Sequence, residues 1–325
     1  MVDASGTRET AVGAGAYGAP VSTPRPAASP SWLPLLAVAV TLLLWASAFV
    51  AIRYLREDFS PGALSLGRLL VAAVALAAAS QVMARGRGLR APTRREWVPL
   101  VAVGVLWFGI YNLALNEGER RVDAGTAAML IQLSPVLVAV LAALFLGERF
   151  TRWLGLGLAV AFAGVVLISF STSTSSDHDV LGVVLCLVAA VAYSVSLVLQ
   201  KPLVGALPAV EVTWLACTVG AVVCLPFAPQ LVREVAAAPP ASTAWVVYLG
   251  LFPTAIAFTT YAYALRHLSA SSLAVTTYLV PPLTIVMGWV ALGEVPPTLA
   301  YAGGVLALVG VALARRKPRP APAAA

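Results

Sequence analysis

The side chains best suited to bind a small molecule in this 325-residue chain are aromatic and neutral polar ones. In four stretches they recur every three or four residues, a spacing that places them on one face of a helix. The four sets are Trp45 and Phe49; Trp107, Phe108, Tyr111 and Asn112; Tyr193, Ser196 and Gln200; and Thr254, Phe258 and Tyr261. Such faces can line a mostly apolar cavity in which a few hydrogen bonds orient a ligand. Packing between membrane helices recruits similar residues and is the alternative for each set.

Two prolines mark a second candidate position. Pro135 and Pro281 are 146 residues apart, and each lies near the middle of a long apolar stretch. Proline removes a backbone hydrogen bond and frees the carbonyl four residues earlier, here those of Ile131 and Thr277, with Gln132 beside them. Both helices are predicted to open near the bilayer midplane, where matched interruptions indicate a transporter site. Simple tolerance of proline in membrane helices is the alternative.

Arg68 is the one charged residue well inside a predicted span, about 10 Å beyond Pro61 by the helical rise. The cost of a charge in lipid makes it a functional candidate. Its planar guanidinium suits a substrate carboxylate. Snorkelling towards the headgroups and pairing within the protein are the structural alternatives.

A short motif, Leu-Gly-Glu, occurs twice and ends at Glu148 and at Glu294. Each glutamate stands after one predicted helix and just before the next, whose N-terminal dipole favours an anion. The predicted role is to fix the turns between helices 4 and 5 and between helices 9 and 10. A part in gating is the alternative.

Catalytic and metal chemistry find little support in the sequence. His178 and His267 are the two histidines, and they lie in different loops, so a zinc or di-iron site is not expected. The three cysteines all fall in apolar stretches, which argues against an extracellular disulfide framework. No nucleophile with a nearby acid/base pair is found, so a membrane enzyme is a remote alternative, as is a scaffold. No cofactor is predicted.

The composition shows which elements must position these residues. Hydrophobic residues make up 60% of the chain and charged residues 11%, with a mean hydropathy of +0.89. A soluble domain has about a quarter charged residues, so the chain is predicted to be an all-α polytopic membrane protein. Ten apolar stretches approach the roughly 20 residues that a bilayer requires. They are 33–54, 61–83, 97–116, 123–146, 150–170, 180–200, 209–228, 244–265, 268–292 and 297–314.

The two halves of the chain repeat at a spacing of 146 residues. When residues 122–168 are aligned with 268–314 without a gap, 14 of the 47 pairs are identical. With five spans in each half, the predicted ten transmembrane helices form two inverted five-helix repeats. The predicted domains are a disordered cytoplasmic tail at 1–31, repeats at 32–170 and 180–314, an external linker at 171–179 and a cytoplasmic tail at 315–325.

Lysine and arginine are distributed unevenly between the predicted loops. With the N-terminus inside, 15 lie on the cytoplasmic side and five on the opposite side. This bias places both termini in the cytoplasm, in a bacterial-type inner membrane. The net charge of +7 sits at helix ends rather than on a soluble patch, so no nucleic-acid partner is expected.

The Trp45-Ala46-Ser47-Ala48-Phe49 stretch, Pro61 followed by Arg68, and the Pro135 to Glu148 segment with its second copy resemble the EamA-like family of the drug/metabolite transporter superfamily. The resemblance covers about residues 33 to 315. It implies a ten-helix inverted-repeat carrier, often exporting amino acids or related metabolites, with helices 5 and 10 contributing less to the central cavity. It also carries an arginine at the position of Arg68 across varied substrates, which favours a structural role there.

The resulting hypothesis is an exporter of small neutral or zwitterionic metabolites such as amino acids, working by alternating access around a midplane site. An uncoupled facilitator and a flippase for lipid-linked substrates are the alternatives. The expected partners are the small molecule and the lipid bilayer, with proton coupling and a homodimer left open. The candidate substrate-binding residues are Trp45, Phe49, Arg68, Trp107, Tyr111, Asn112, Gln132, Pro135, Tyr193, Ser196, Phe258, Tyr261, Thr277, Tyr278 and Pro281.

Overall fold

The computed structural model describes residues 32–55, 57–83, 91–119, 121, 130–172, 179–292 and 298–316. All regular secondary structure in these ranges is helical, and no strand occurs in them. The predicted all-α fold class is therefore correct. The predicted N-terminal tail, most of the predicted C-terminal tail and external linker, the start of the predicted fourth span and Glu294 lie outside the described residues.

The described residues of the first half of the chain contain five helices. Three are regular: α1 (Leu33–Leu55), α2 (Pro61–Met83) and α5 (Arg152–Thr172). Helix α3 consists of an α-helical part (Arg94–Val103), a π-helical part (Gly104–Tyr111) and a second α-helical part (Asn112–Glu119). Helix α4 (Ser134–Phe145) follows a turn at Gln132 and Leu133.

The second half contains five more helices, three of them segmented. Helix α6 is Val180–Ala206 and α10 is Thr298–Ala314. Helix α7 is Ala209–Cys224, a 3₁₀ turn at Leu225–Phe227, and Ala228–Ala237. Helix α8 is Pro240–Leu249, a π-helical part at Gly250–Ile256, and Ala257–His267. Helix α9 is Ala270–Thr276, a 3₁₀ turn at Thr277–Leu279, and Val280–Leu292.

Eight of these helices are long and apolar enough to cross a membrane. The two shorter ones are α4, with 12 described residues, and α10, with 17. Large apolar side chains such as Val74, Leu144 and Val290 are more than 70% exposed, as expected for surfaces that face lipid. Within the described residues the ten-span count therefore stays a prediction, whereas the membrane character of the chain is plain.

The repeat is visible in the local backbone as well as in the sequence. The π-helical parts of α3 and α8 begin at Gly104 and Gly250, which are 146 residues apart like Pro135 and Pro281. The turn at Gln132 before α4 likewise corresponds to the 3₁₀ turn of α9. Both halves thus interrupt their third and fourth helices at equivalent places.

Helices α5 and α10 pack against each other through glycines. A Cβ atom added to Gly164 would lie 2.5 Å from the carbonyl oxygen of Gly303, and one added to Gly303 would lie 2.5 Å from that of Gly164. Contacts this short require the two backbones to touch, which small residues allow in membrane proteins. The pair stands beside the remaining helices, whose buried side chains form the main core.

Candidate functional site

An aromatic cluster at the centre of the bundle joins α1, α3, α6 and α8. The ring of Trp107 lies 5.0 Å from that of Tyr193 and 5.1 Å from that of Phe258, both edge to face. The ring of Trp45 lies 5.3 Å from that of Phe258 and 4.9 Å from that of Tyr261. The hydroxyl groups of Tyr193 and Tyr261 share a hydrogen bond of 2.8 Å. Edge-to-face packing of this kind fixes the rings in position.

A cavity of about 130 Å³ lies against this cluster. Most of its wall is apolar or aromatic, and the polar groups are few. Within the described part of the chain the wall consists of Trp45, Ala48, Phe49, Ile52, Arg68, Trp107, Tyr111, Asn112, Leu115, Asn116, Ile131, Gln132, Ser134, Tyr193, Phe258, Thr277 and Val280. These residues come from both halves of the chain. No residue of α5 or α10 is among them, which agrees with the lesser contribution expected of those helices.

Arg68 on α2 is held in the cavity wall by Thr254 of the π-helical part of α8. The guanidinium Nε donates to Thr254 Oγ1 at 3.0 Å, and that hydroxyl donates to the carbonyl of Leu249 at 2.8 Å. Leu249 is five residues before Thr254, so the second bond follows the π-helical geometry. Arg68 is only 8% exposed.

The π-helical part of α3 carries a second polar anchor. Asn112 Nδ2 donates to the carbonyls of Trp107 at 3.1 Å and Phe108 at 3.0 Å. Asn112 follows Trp107 and Phe108 by five and four residues, so its side chain reaches back along the π-helical turn to both carbonyls. Asn112 also belongs to the wall of the cavity.

The proline interruptions meet each other across the two halves. Gln132 Nε2 donates to the carbonyl of Thr277 at 3.3 Å, and Ser134 Oγ donates to the carbonyl of Ile131 at 2.5 Å. These are the two carbonyls expected to lose their partners four residues before Pro281 and Pro135. Side chains therefore satisfy both freed carbonyls, one of them from the opposite half of the chain.

The two ends of the bundle differ. At one end, hereafter the Asp58 face, α1, α3 and α7 terminate. Ser60 donates its backbone N–H to Glu234 at 2.9 Å, and Ser242 Oγ donates to Asp58 at 2.5 Å. The cavity-lining residues Ile52 and Asn116 lie in the parts of α1 and α3 nearest this face, so the cavity extends towards it.

At the opposite end, hereafter the Glu148 face, α4, α6 and α8 terminate. The Glu148 carboxylate accepts hydrogen bonds from the backbone N–H groups of Ala270 at 2.6 Å and Ser271 at 3.0 Å, and from Ser271 Oγ at 2.6 Å. Lys201 on α6 donates to the carbonyls of Leu265 and Leu268, both at 2.5 Å. An anion thus sits at the N-terminus of α9 and a cation at the C-terminus of α8, each where the helix dipole favours it.

A sequence profile of the EamA-like transporter family matches residues 32–170 and again residues 180–316. The chain belongs to the EamA-like transporter family. Its two-repeat architecture is that of the family, and the earlier resemblance is confirmed. An EamA-like transporter is not an enzyme, and in the described residues no group of three or more His, Cys, Asp or Glu side chains could hold a metal ion.

Two relatives of this EamA-like transporter are named as exporters. It is 42% identical over 282 residues to a probable terminal-alkyne amino-acid exporter of Streptantibioticus cattleyicolor, covering 86% of this chain and 93% of that one. It is 30% identical over 236 residues to the pseudopaline exporter CntI of Pseudomonas aeruginosa, covering 69% and 77%. A solved crystal structure at 22% identity matches with a TM-score of 0.71 over 87% of this chain and 96% of that chain, which shows the fold alone.

Five residues predicted to bind substrate do not line the cavity of this EamA-like transporter. Tyr261 lies behind Tyr193, and Ser196 donates to the carbonyl of Ala192 at 2.6 Å within its own helix. Tyr278 is buried between α5, α9 and α10. Pro135 and Pro281 shape the backbone, but their rings lie off the wall. Helical periodicity alone does not separate the face that lines a cavity from the face that packs beside it.

Glu148 also differs from its prediction. Its carboxylate caps α9 of the other repeat instead of fixing the turn that leads into α5. The physical reason is that the N–H groups at the start of α9 lack partners within their helix and attract an anion. Sequence reasoning could not choose between two nearby helix N-termini, one of them distant in the chain.

Several cavity residues were absent from the sequence-based set. Asn116 lies four residues after Asn112, so the same helical face indicated it. Ser134 stands beside Pro135 and is the natural partner of a freed carbonyl. Ile131 was noted in the sequence for its freed carbonyl only. The remaining ones, Ala48, Ile52, Leu115 and Val280, are apolar residues whose type carries no signal in a chain this hydrophobic.

Proposed function

We propose that this EamA-like transporter is an inner-membrane exporter of small neutral or zwitterionic metabolites such as amino acids. The proposed mechanism is alternating access of two inverted five-helix repeats around the central cavity. The observation that carries it is the pairing of the two proline interruptions at the wall of a cavity that extends towards one face only.

The asymmetry of the bundle supports alternating access. From the aromatic cluster to the Glu148 face the interior is filled, since Leu197, Val204, Leu265 and Leu273 are fully buried there. In the opposite direction the cavity continues along α1 and α3. A carrier needs two such states. In the second state the region near the Glu148 face opens and the region near the Asp58 face is filled, because the two repeats exchange conformations. The structure then represents the state open towards the Asp58 face.

The membrane orientation follows from charge. The bias of lysine and arginine puts both chain ends and the Glu148 face in the cytoplasm. The Asp58 face is then external, and the described state is ready to release an exported molecule.

The composition of the cavity wall supports a neutral or zwitterionic substrate. Its one charged member among the described residues is Arg68, beside several amides and hydroxyls. The relative named as an amino-acid exporter favours amino acids within this class. Proton coupling and a homodimer stay predictions.

Transport in proteoliposomes tests the proposal. Vesicles that contain the purified protein are expected to accumulate labelled amino acids faster than protein-free vesicles. If no member of a broad panel of amino acids and related metabolites moves faster, the proposal fails. Counterflow without a proton gradient separates the mechanisms, because exchange that needs no gradient indicates the uncoupled facilitator.

A further inference from the structure

We propose that Arg68 is the carboxylate-binding residue of the cavity, so that the transported molecules carry a free carboxylate group. This inference rests on the proposed function, because it assigns the chemical group that the transport site recognises. It also departs from the structural role that the sequence alone favoured for Arg68.

The first argument is the missing counter-ion. Arg68 is 8% exposed and lines the cavity. A charge this deeply buried is costly unless it is paired. None of the carboxylates in the described part of the chain forms an ion pair with it. In the described residues, the titratable side chains that act electrostatically on it are those of Tyr111 and Cys217, and neither is a carboxylate.

The second argument is the number of free donors. A guanidinium carries five N–H groups. In the described residues one of them is used, by the bond from Nε to Thr254 Oγ1. An arginine with a purely structural role in a buried place would be expected to give more of its donors to protein acceptors. The donors of the two Nη atoms are therefore left for a ligand.

The third argument is orientation. Thr254 is itself fixed by its bond to the carbonyl of Leu249, so the guanidinium is held from the side of α8. Two parallel N–H groups match the two oxygens of a carboxylate, which makes such pairs short and directional. The aromatic rings of Trp107 and Phe258, also in the wall, then face the remainder of the substrate.

Matched ligands test the inference on the full-length protein. The panel contains the twenty proteinogenic L-amino acids, their carboxamides and the corresponding decarboxylated amines. Thermal stabilisation of the detergent-purified protein and transport into proteoliposomes are measured for each. We expect acids to stabilise the protein and to be transported, and each amide or amine to bind at least about 10-fold more weakly, the value of a charged hydrogen bond.

The Arg68→Gln variant separates recognition from structure. It is expected to lose about 10- to 100-fold in affinity for the acids and to bind the amides as the native protein does, so the acid-to-amide selectivity collapses. If Arg68 had a structural role, the substitution would instead lower the melting temperature and weaken the binding of all ligands alike. Arg233→Gln is the control, because Arg233 is exposed on the last part of α7. Its loss should change neither the acid-to-amide selectivity nor the melting temperature.

The remaining outcomes contradict either the carboxylate inference alone or the proposed function as well. If amides or amines bind as tightly as the acids, or if Arg68→Gln keeps the acid preference, the carboxylate inference is wrong and the proposed function stands. If no compound of the panel is transported by the native protein, the proposed function fails and takes this inference with it.

Discussion

At the residue scale, the polar groups of the cavity are held by irregular stretches of helix. Thr254 uses its hydroxyl twice, as an acceptor for Arg68 and as a donor within the π-helical part of α8. Asn112 uses its amide to satisfy two carbonyls in the π-helical part of α3. π-helical turns frequently occur at functional sites. Here the π-helical part of α3 ends next to Asn112 of the cavity wall, and that of α8 supplies Thr254, which anchors Arg68 of the wall.

Thr254→Val removes the hydroxyl and keeps the shape of the side chain. Since Arg68 then loses its one anchor in the described structure, we expect KM for carboxylate substrates to rise by about 3- to 10-fold, the value of one hydrogen bond. The maximal rate should change less, because the cavity keeps its form. Thr254→Ser retains the hydroxyl and should lie within about twofold of the native KM. Equal losses in both variants would contradict a positioning role for Thr254.

Much of the cavity wall was accessible to prediction at this scale, for a definite reason. Aromatic residues and amides are rare enough in an apolar chain that their helical spacing is informative, as for Trp107 and Asn112. Ser196 obeys the same spacing as Tyr193, but its hydroxyl donates within its own helix. The difference depends on the rotation of each helix about its axis, which the sequence of one helix does not determine.

At the element scale, the Glu148 face is closed by contacts between helix ends of different repeats. Glu148→Gln removes the charge that caps α9 and keeps the size of the side chain. An N-terminal charge or cap contributes about 0.5 to 2 kcal/mol, so the population open towards the Glu148 face should increase by about 2- to 30-fold.

Labelling of a cysteine measures that shift. Val204 is fully buried near the Glu148 face, and a Val204→Cys probe should react slowly with a maleimide in the otherwise native protein. Glu148→Gln should accelerate the reaction several-fold. Glu117→Gln is the control, since Glu117 pairs with Arg121 at the other end of the bundle. An unchanged rate in Glu148→Gln would show that this contact does not help to close the face.

The packing of α5 against α10 gives a prediction for stability. Gly164→Ala inserts a methyl group where a Cβ would lie 2.5 Å from the backbone of Gly303. The helices must separate, which should cost about 1 to 3 kcal/mol and lower the melting temperature. Gly205→Ala is the matched control, since a Cβ there meets nothing within 4 Å and alanine favours a helix. Similar melting temperatures for the two variants would refute the close contact.

The start of α6 gives a prediction for pH. Asp179 accepts the backbone N–H of Leu181 at 2.8 Å and a hydrogen bond from Arg121 at 3.0 Å. The backbone bond first, and then Arg121, hold the pKa of Asp179 below its ordinary value near 3.8. The stabilisation is therefore present above that value and is lost as pH falls through the lower pKa of the folded state.

Asp179→Asn isolates the charge, because asparagine also caps helices well. Its melting temperature should be slightly below that of the native protein at pH 7, since an exposed ion pair contributes little. The difference should shrink as pH falls through the lowered pKa of the native carboxyl and vanish once that group is protonated. A difference that persisted in acid would assign the effect to the cap instead of the charge.

At the scale of the whole molecule, the repeat allowed the architecture to be predicted. The spacing that pairs Pro135 with Pro281 also pairs the π-helical parts at Gly104 and Gly250, and the family matches follow the same division. The direction in which the cavity extends was not predictable. Inverted repeats share one fold, so the repeat pattern is equally compatible with a cavity that extends towards either face.

A cross-link across the Glu148 face tests the exchange of states in the whole molecule. Glu148 Oε2 lies 2.6 Å from Ser271 Oγ, so cysteines at both positions can be joined by a short bis-methanethiosulfonate reagent. In a carrier this link holds one face closed, and transport should stop while ligands still stabilise the protein from the open Asp58 face. Reduction of the linker should restore transport.

The single Glu148→Cys variant, treated with the same reagent, controls for modification alone. Continued transport by the linked protein would mean that substrate crosses without opening the Glu148 face, which would exclude alternating access between these two faces.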